Sequence, residues 1–79
     1  MVKTFLKGDK YIHYKTKGMY EIVDVATMQA PENSGLDMCE CVVYKKEGDG
    51  KLWVRPVPMF LEKVKNENGA LVARFEKCN

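Results

Sequence analysis

Trp53 and Arg55 stand two positions apart in Leu52-Trp53-Val54-Arg55-Pro56. In extended backbone, residues i and i+2 face the same way, so the indole and the guanidinium share one side of a strand. An indole stacks on a nucleobase or a planar cation, and a guanidinium grips phosphate, carboxylate or a base edge in a two-pronged fork. Tyr11 and His13 stand in the same relation in Lys10-Tyr11-Ile12-His13-Tyr14-Lys15. His13 is the only histidine, the side chain whose charge changes near neutral pH. Tyr44, with Tyr20, offers a further aromatic wall. Tyr11, His13, Tyr44, Trp53 and Arg55 are therefore the candidate ligand-binding residues.

Lys45-Lys46 and Lys51 lie near Trp53 and Arg55 across Glu47-Gly48-Asp49-Gly50. Basic side chains beside an aromatic are what single-stranded nucleic acid uses for backbone and base together, although Glu47 and Asp49 offset the charge. Each candidate also has a plainer role. His13 fits a structural histidine hydrogen-bonded at the wall of a barrel, Trp53 fits a cap on a thin core, and Arg55 fits an ion pair with Glu40 or Glu62. Nucleophilic catalysis lacks its geometry, because Cys39 and Cys41 alternate with apolar residues as core thiols do. Cys39-x-Cys41 has the wrong spacing for structural zinc, which takes four well-placed ligands. No metal, cofactor or enzymatic activity is expected, the remaining catalytic option being His13 as a general base with Arg55 holding an anion.

The elements that must position these residues have a period of two, with turn signals between short runs, which favours an antiparallel all-β domain. Lys10–Lys15 is the first expected strand and Thr16-Lys17-Gly18 its turn. Met19–Ala26 is the second, with Tyr20, Ile22 and Ala26 on one face and Val23 and Val25 on the other. Thr27–Asp37 reads as a long loop. Met38–Lys46 is the third strand, closed by Glu47-Gly48-Asp49-Gly50 onto Lys51–Pro56, since those glycines supply the positive φ of a tight turn. Pro56 and Pro58 stop the ladder, and residues 57–62 are expected as one helical turn that drops Met59 and Phe60 into the core. Val64-Lys65 and Ala70–Phe75 close the domain as a hairpin through Asn66-Glu67-Asn68-Gly69, with Cys78 in a frayed tail. Five or six short strands in so few residues predict one small SH3-like antiparallel barrel over residues 1–79.

Size and charge bound the possibilities. The 79 residues, 30% charged and 46% hydrophobic, suffice for one soluble domain with a thin core. A net charge of +2 is too small to announce a nucleic-acid binder by itself, so any such argument is local. No apolar run approaches the roughly 20 residues that cross a bilayer, and Met1–Asp9 lacks the apolar stretch of a leader. The odd count of three cysteines is not a disulfide framework. A cytoplasmic protein with reduced thiols and no membrane contact is expected.

The pattern Tyr11-x-His13-Tyr14-Lys15, Tyr20, Val42-Val43-Tyr44, Trp53-Val54-Arg55-Pro56-x-x-Met59-Phe60 and Arg74-Phe75 resembles the DUF1653 family of small bacterial and phage-borne domains. The resemblance runs from about Tyr11 to Phe75. It implies an SH3-like barrel of uncharacterised function and so delivers no activity, since fold does not imply function. Two departures stand out: the family carries Gly directly after His-Tyr-Lys, whereas Thr16-Lys17-Gly18 is one residue longer, and Thr27–Ser34 lacks the family's Ser-Glu-Thr type loop.

Two functions remain in competition. One is a binding module that receives nucleic acid, a nucleotide or another planar anionic ligand on the aromatic-basic surface. The other is a protein-interaction or homodimerisation module that uses the same face or an edge strand near Val64–Phe75.

Overall fold

The structure, a computed structural model, describes residues 5–78. Among the described residues there are seven strands: β1 (Lys10–His13), β2 (Met19–Thr27), β3 (Glu40–Lys46), β4 (Leu52–Pro56), β5 (Lys63–Lys65), β6 (Leu71–Ala73) and β7 (Phe75–Cys78). A single turn of helix, α1 (Val57–Phe60), follows β4, and a 3-10 turn at Glu32–Ser34 lies in the loop before β3. Five strands form one antiparallel sheet in the order β4-β3-β2-β1-β7, curled into a half-barrel. β5 and β6 pair as a separate hairpin.

The expected all-β architecture is thus present, in seven strands among the described residues where five or six were expected. The stretch Ala70–Phe75 is divided at Arg74, whose backbone N–H donates to the Glu62 carbonyl at 3.2 Å. Phe75 then starts β7, which pairs along β1 with Cys78 opposite Lys10. Cys78 therefore lies in a strand and not in a frayed tail.

A bulge corrects the faces expected for β2. Ile22 stands opposite Tyr44, but Asp24 stands opposite Val43, so Val23 is the extra residue that reverses the alternation beyond it. Val25 moves to the inner face opposite Val42 and packs on the core, while Ala26 moves to the outer face opposite Cys41 and is exposed.

Inside the curl lie Phe5, Tyr11, Ile22, Val42, Tyr44, Phe60 and Phe75. Phe60, from α1, stacks on Phe75 with ring centroids 4.3 Å apart and planes 2° apart, and meets Phe5, Tyr11 and Tyr44 edge-on. This ring cluster ties α1 to β7 across the side of the sheet that no ladder closes. Pro56 ends β4 with ψ 141° and Pro58 enters the first turn of α1, where a missing N–H costs nothing. Successive residues of a helix diverge by about 100°, so Met59 cannot follow Phe60 inward; it is 46% exposed, against the expectation that both are core.

Among the described residues no helix is long and apolar enough to cross a membrane.

Candidate ligand-binding face

Directly opposed residues of antiparallel neighbours project to the same side of a sheet. Tyr44 opposes Trp53, Val42 opposes Arg55, Tyr11 opposes Tyr20, and His13 opposes Phe75. With Ile22 opposing Tyr44, the pairing places all five candidates on the inner face of the half-barrel. Their depths differ. Tyr11 and Tyr44 are 6% and 2% exposed and belong to the core, so their rings are spent on Phe60 and its neighbours. Trp53, on edge strand β4, is 43% exposed, while Arg55 and His13 are half-buried.

Arg55 is held by aromatic contacts. Its Nε donates to the Tyr44 hydroxyl at 3.3 Å, and its guanidinium carbon lies 5.8 Å from the centroid of Phe75, a cation–π distance. The expected carboxylate partners are elsewhere: Glu62 accepts from Arg74 Nη2 at 2.9 Å, and no ion pair among the described residues involves Glu40 or Arg55. Arg55 is thus positioned by neutral groups with its charge unspent. Beside it, Lys51 Nζ stands 5.1 Å from the Trp53 ring centroid, which adds a cation to the exposed indole.

His13 has both structural and electrostatic ties. Its Nδ1 accepts the backbone N–H of Lys15 at 3.2 Å and of Thr16 at 3.4 Å, which fixes the unprotonated form of that nitrogen. Its ring meets Phe75 edge-on at 5.1 Å. Burial holds its pKa below the usual histidine value, and the nearby charges of Arg74, Arg55 and Lys15 push it the same way. All three charges thus disfavour protonation of this half-buried ring. Arg74 adds a buried Nε without a hydrogen-bond partner, although its Nη2 is paired.

The turn charges are not arranged as the sequence predicted. Glu47, expected to offset the basic patch, bonds Lys10, which also faces Glu21 at 3.8 Å. Asp49 turns its carboxylate to the backbone N–H of Lys51 at 2.8 Å. Lys45, Lys46, Lys51 and Arg55 have no ion pair among the described residues.

A family model described as a protein of unknown function, DUF1653, matches residues 9–77. The chain belongs to the DUF1653 family. No curated protein and no solved structure matches it. The matched span of this DUF1653 domain contains the whole five-stranded sheet except its last residue, Cys78, and all five candidate residues.

In the first turn Lys17 takes a positive φ of 63°, a conformation that a glycine would adopt more readily. On the outer face Cys41 is buried beside half-buried Cys39, with the two Sγ atoms 3.7 Å apart. Burial and the neighbouring thiol raise the Cys41 pKa, the opposite of what activates a nucleophile. Among the described residues no three His, Cys, Asp or Glu side chains are grouped to hold a metal ion.

Sequence reasoning missed Arg74 as a neighbour of His13. Its signal was faint, because a residue at the bend between two short strands has no place in an alternating pattern. Also missed was a cavity between two turns far apart in the chain. The turn signals marked each wall but not that the walls meet.

Proposed function

We propose that this DUF1653 domain is a non-catalytic, cytoplasmic binding module for a ligand that joins a planar ring to negative charge, single-stranded nucleic acid or a nucleotide. The ring stacks on Trp53, Arg55 takes the phosphate or a base edge, and Lys51 adds long-range attraction. Tyr11 and Tyr44 support the face from beneath and do not touch the ligand. The observation that carries this reading is Arg55, poised by Tyr44 and Phe75 with no carboxylate to neutralise it. A charge kept in place by neutral groups remains available to an anion.

Trp53 is the only tryptophan, so its fluorescence reports this face alone. Titration with single-stranded oligonucleotides and nucleotides is expected to quench it, with an affinity that falls steeply with salt. R55A is expected to weaken binding by about tenfold, the loss of one charge-assisted contact of roughly 1.5 kcal/mol. Unchanged emission throughout the panel overturns the reading.

A second reading draws on β4, which lies at the edge of the sheet and exposes Leu52, Trp53 and Val54 in succession. Such an edge can accept another extended segment, from a partner or a second copy. Association of that kind hardly responds to salt, so the same titration separates the two.

A further inference from the structure

A cavity of about 560 Å³ opens between the turn that follows β1 and the turn that joins β5 to β6. Its volume is in the range of small-molecule sites, roughly 300–1,000 Å³. Tyr14, Lys15 and Lys17 line one wall, while Lys65, Asn66 and Asn68 line the other together with Glu67. Three ammonium groups thus meet one carboxylate, and none of the four is in an ion pair among the described residues.

Both walls are fixed by side-chain acceptors. His13 Nδ1 accepts from Lys15 and Thr16 N–H on one side, with the Lys17 N–H bonded to the His13 carbonyl at 3.0 Å. On the other, Asn66 Oδ1 accepts from Asn68 N–H at 2.9 Å and Ala70 N–H at 3.0 Å. That occupies the oxygen of the carboxamide and leaves its NH2 as the donating end. Tyr14 N–H donates to the Arg74 carbonyl at 3.0 Å, which ties the first wall to the bend that follows β6. Lys17 is held at a positive φ, a conformation that costs a non-glycine residue and is concentrated at functional sites.

From this geometry we infer a second, independent site in which Lys15, Lys17 and Lys65 bind the phosphate groups of a small phosphorylated ligand. Lysines act as mobile point charges suited to phosphate oxygens. Asn66 supplies a neutral donor, and Tyr14 supplies a ring edge for the remainder of the ligand. Glu67 disfavours ligands whose charge extends past the lysines. The site lies outside the Trp53–Arg55 face and does not depend on its function.

The probe is inorganic pyrophosphate, added to uniformly 15N-labelled protein at constant ionic strength. Amide shifts confined to residues 14–18 and 65–70 and saturating with concentration are expected. Lys17→Gly removes one charge and relieves the positive φ, so it is expected to weaken pyrophosphate binding by about tenfold without lowering the melting temperature. Lys65→Ala gives an independent loss from the other wall. The double variant Trp53→Ala/Arg55→Ala is expected to leave the response intact, which separates failure at this site from failure at the β4 face. Shifts that sodium chloride reproduces at equal ionic strength, or a K17G protein that binds as well as the original, overturn the inference.

Discussion

The two cationic regions of this domain are built in opposite ways. At β4 the positive charge is pinned by aromatic matter: Arg55 between the Tyr44 hydroxyl and the Phe75 ring, Lys51 against Trp53. At the cavity the lysines rest on turns that polar acceptors hold, His13 for one and Asn66 for the other. The first region takes its order from the core and loses it only when the core fails. The second takes its order from a few exposed hydrogen bonds and can be loosened while the barrel stays folded.

Removing the ring that joins the core is the harshest test of that contrast. Phe60→Ala is expected to cost about 3–5 kcal/mol, a large part of the roughly 4–12 kcal/mol available to a chain this short. Chemical denaturation measures it, and Trp53 emission should lose its native character in the same transition. An F60A protein of unchanged stability would contradict the central place given to this ring.

Asn66→Ala strips the acceptor from two turn N–H groups and is expected to cost about 1 kcal/mol. Pyrophosphate binding should weaken while Arg55-dependent quenching of Trp53 remains. If both responses fall together, the two regions are not independent.

Acid sharpens the comparison through His13. Its folded pKa is lowered, so above the ordinary histidine value near 6.5 both folded and unfolded forms are neutral and stability is fully present. As pH falls below about 6.5, the unfolded chain takes up the proton first, and stability declines until the pH has passed below the folded pKa. Protonation of Nδ1 would also break the acceptor for Lys15 and Thr16. The turn amides at 15–18 are therefore expected to shift in this window, ahead of those in β4. An anion bound at Arg55 would offset one of the charges that push the His13 pKa down and so raise it. Its titration by NMR with and without an oligonucleotide reads that effect.

The mildest expected effect is at Lys51, where alanine removes an exposed cation–π contact worth about 0.5–1 kcal/mol. Trp53 emission should shift, and ligand affinity should fall less than in R55A.

Alternation made most of the sheet legible in the sequence, and the glycines of Glu47-Gly48-Asp49-Gly50 marked the β3–β4 hairpin. Alternation is blind to a bulge, because a single unpaired residue such as Val23 leaves no mark on composition yet exchanges Val25 and Ala26 between faces. It is equally blind to depth. Tyr11, Tyr44 and Trp53 occupy the same face, but the curl of the sheet and the arrival of Phe60 bury the first two and leave Trp53 at the edge. Arg55 was legible as a candidate, whereas its aromatic seating was not. The lysine cavity was least legible, since Lys17 and Lys65 meet only through long-range packing that no local pattern encodes.

The most direct test of the Trp53–Arg55 face is a two-dimensional 1H–15N titration of the labelled protein with single-stranded DNA, single-stranded RNA and mononucleotides. Shifts centred on the Trp53 indole N–H and the Arg55 backbone amide and Nε–H are expected, reduced by added salt, with the indole shift in R55A needing about tenfold more ligand. A spectrum in which those resonances stay fixed across the panel contradicts it.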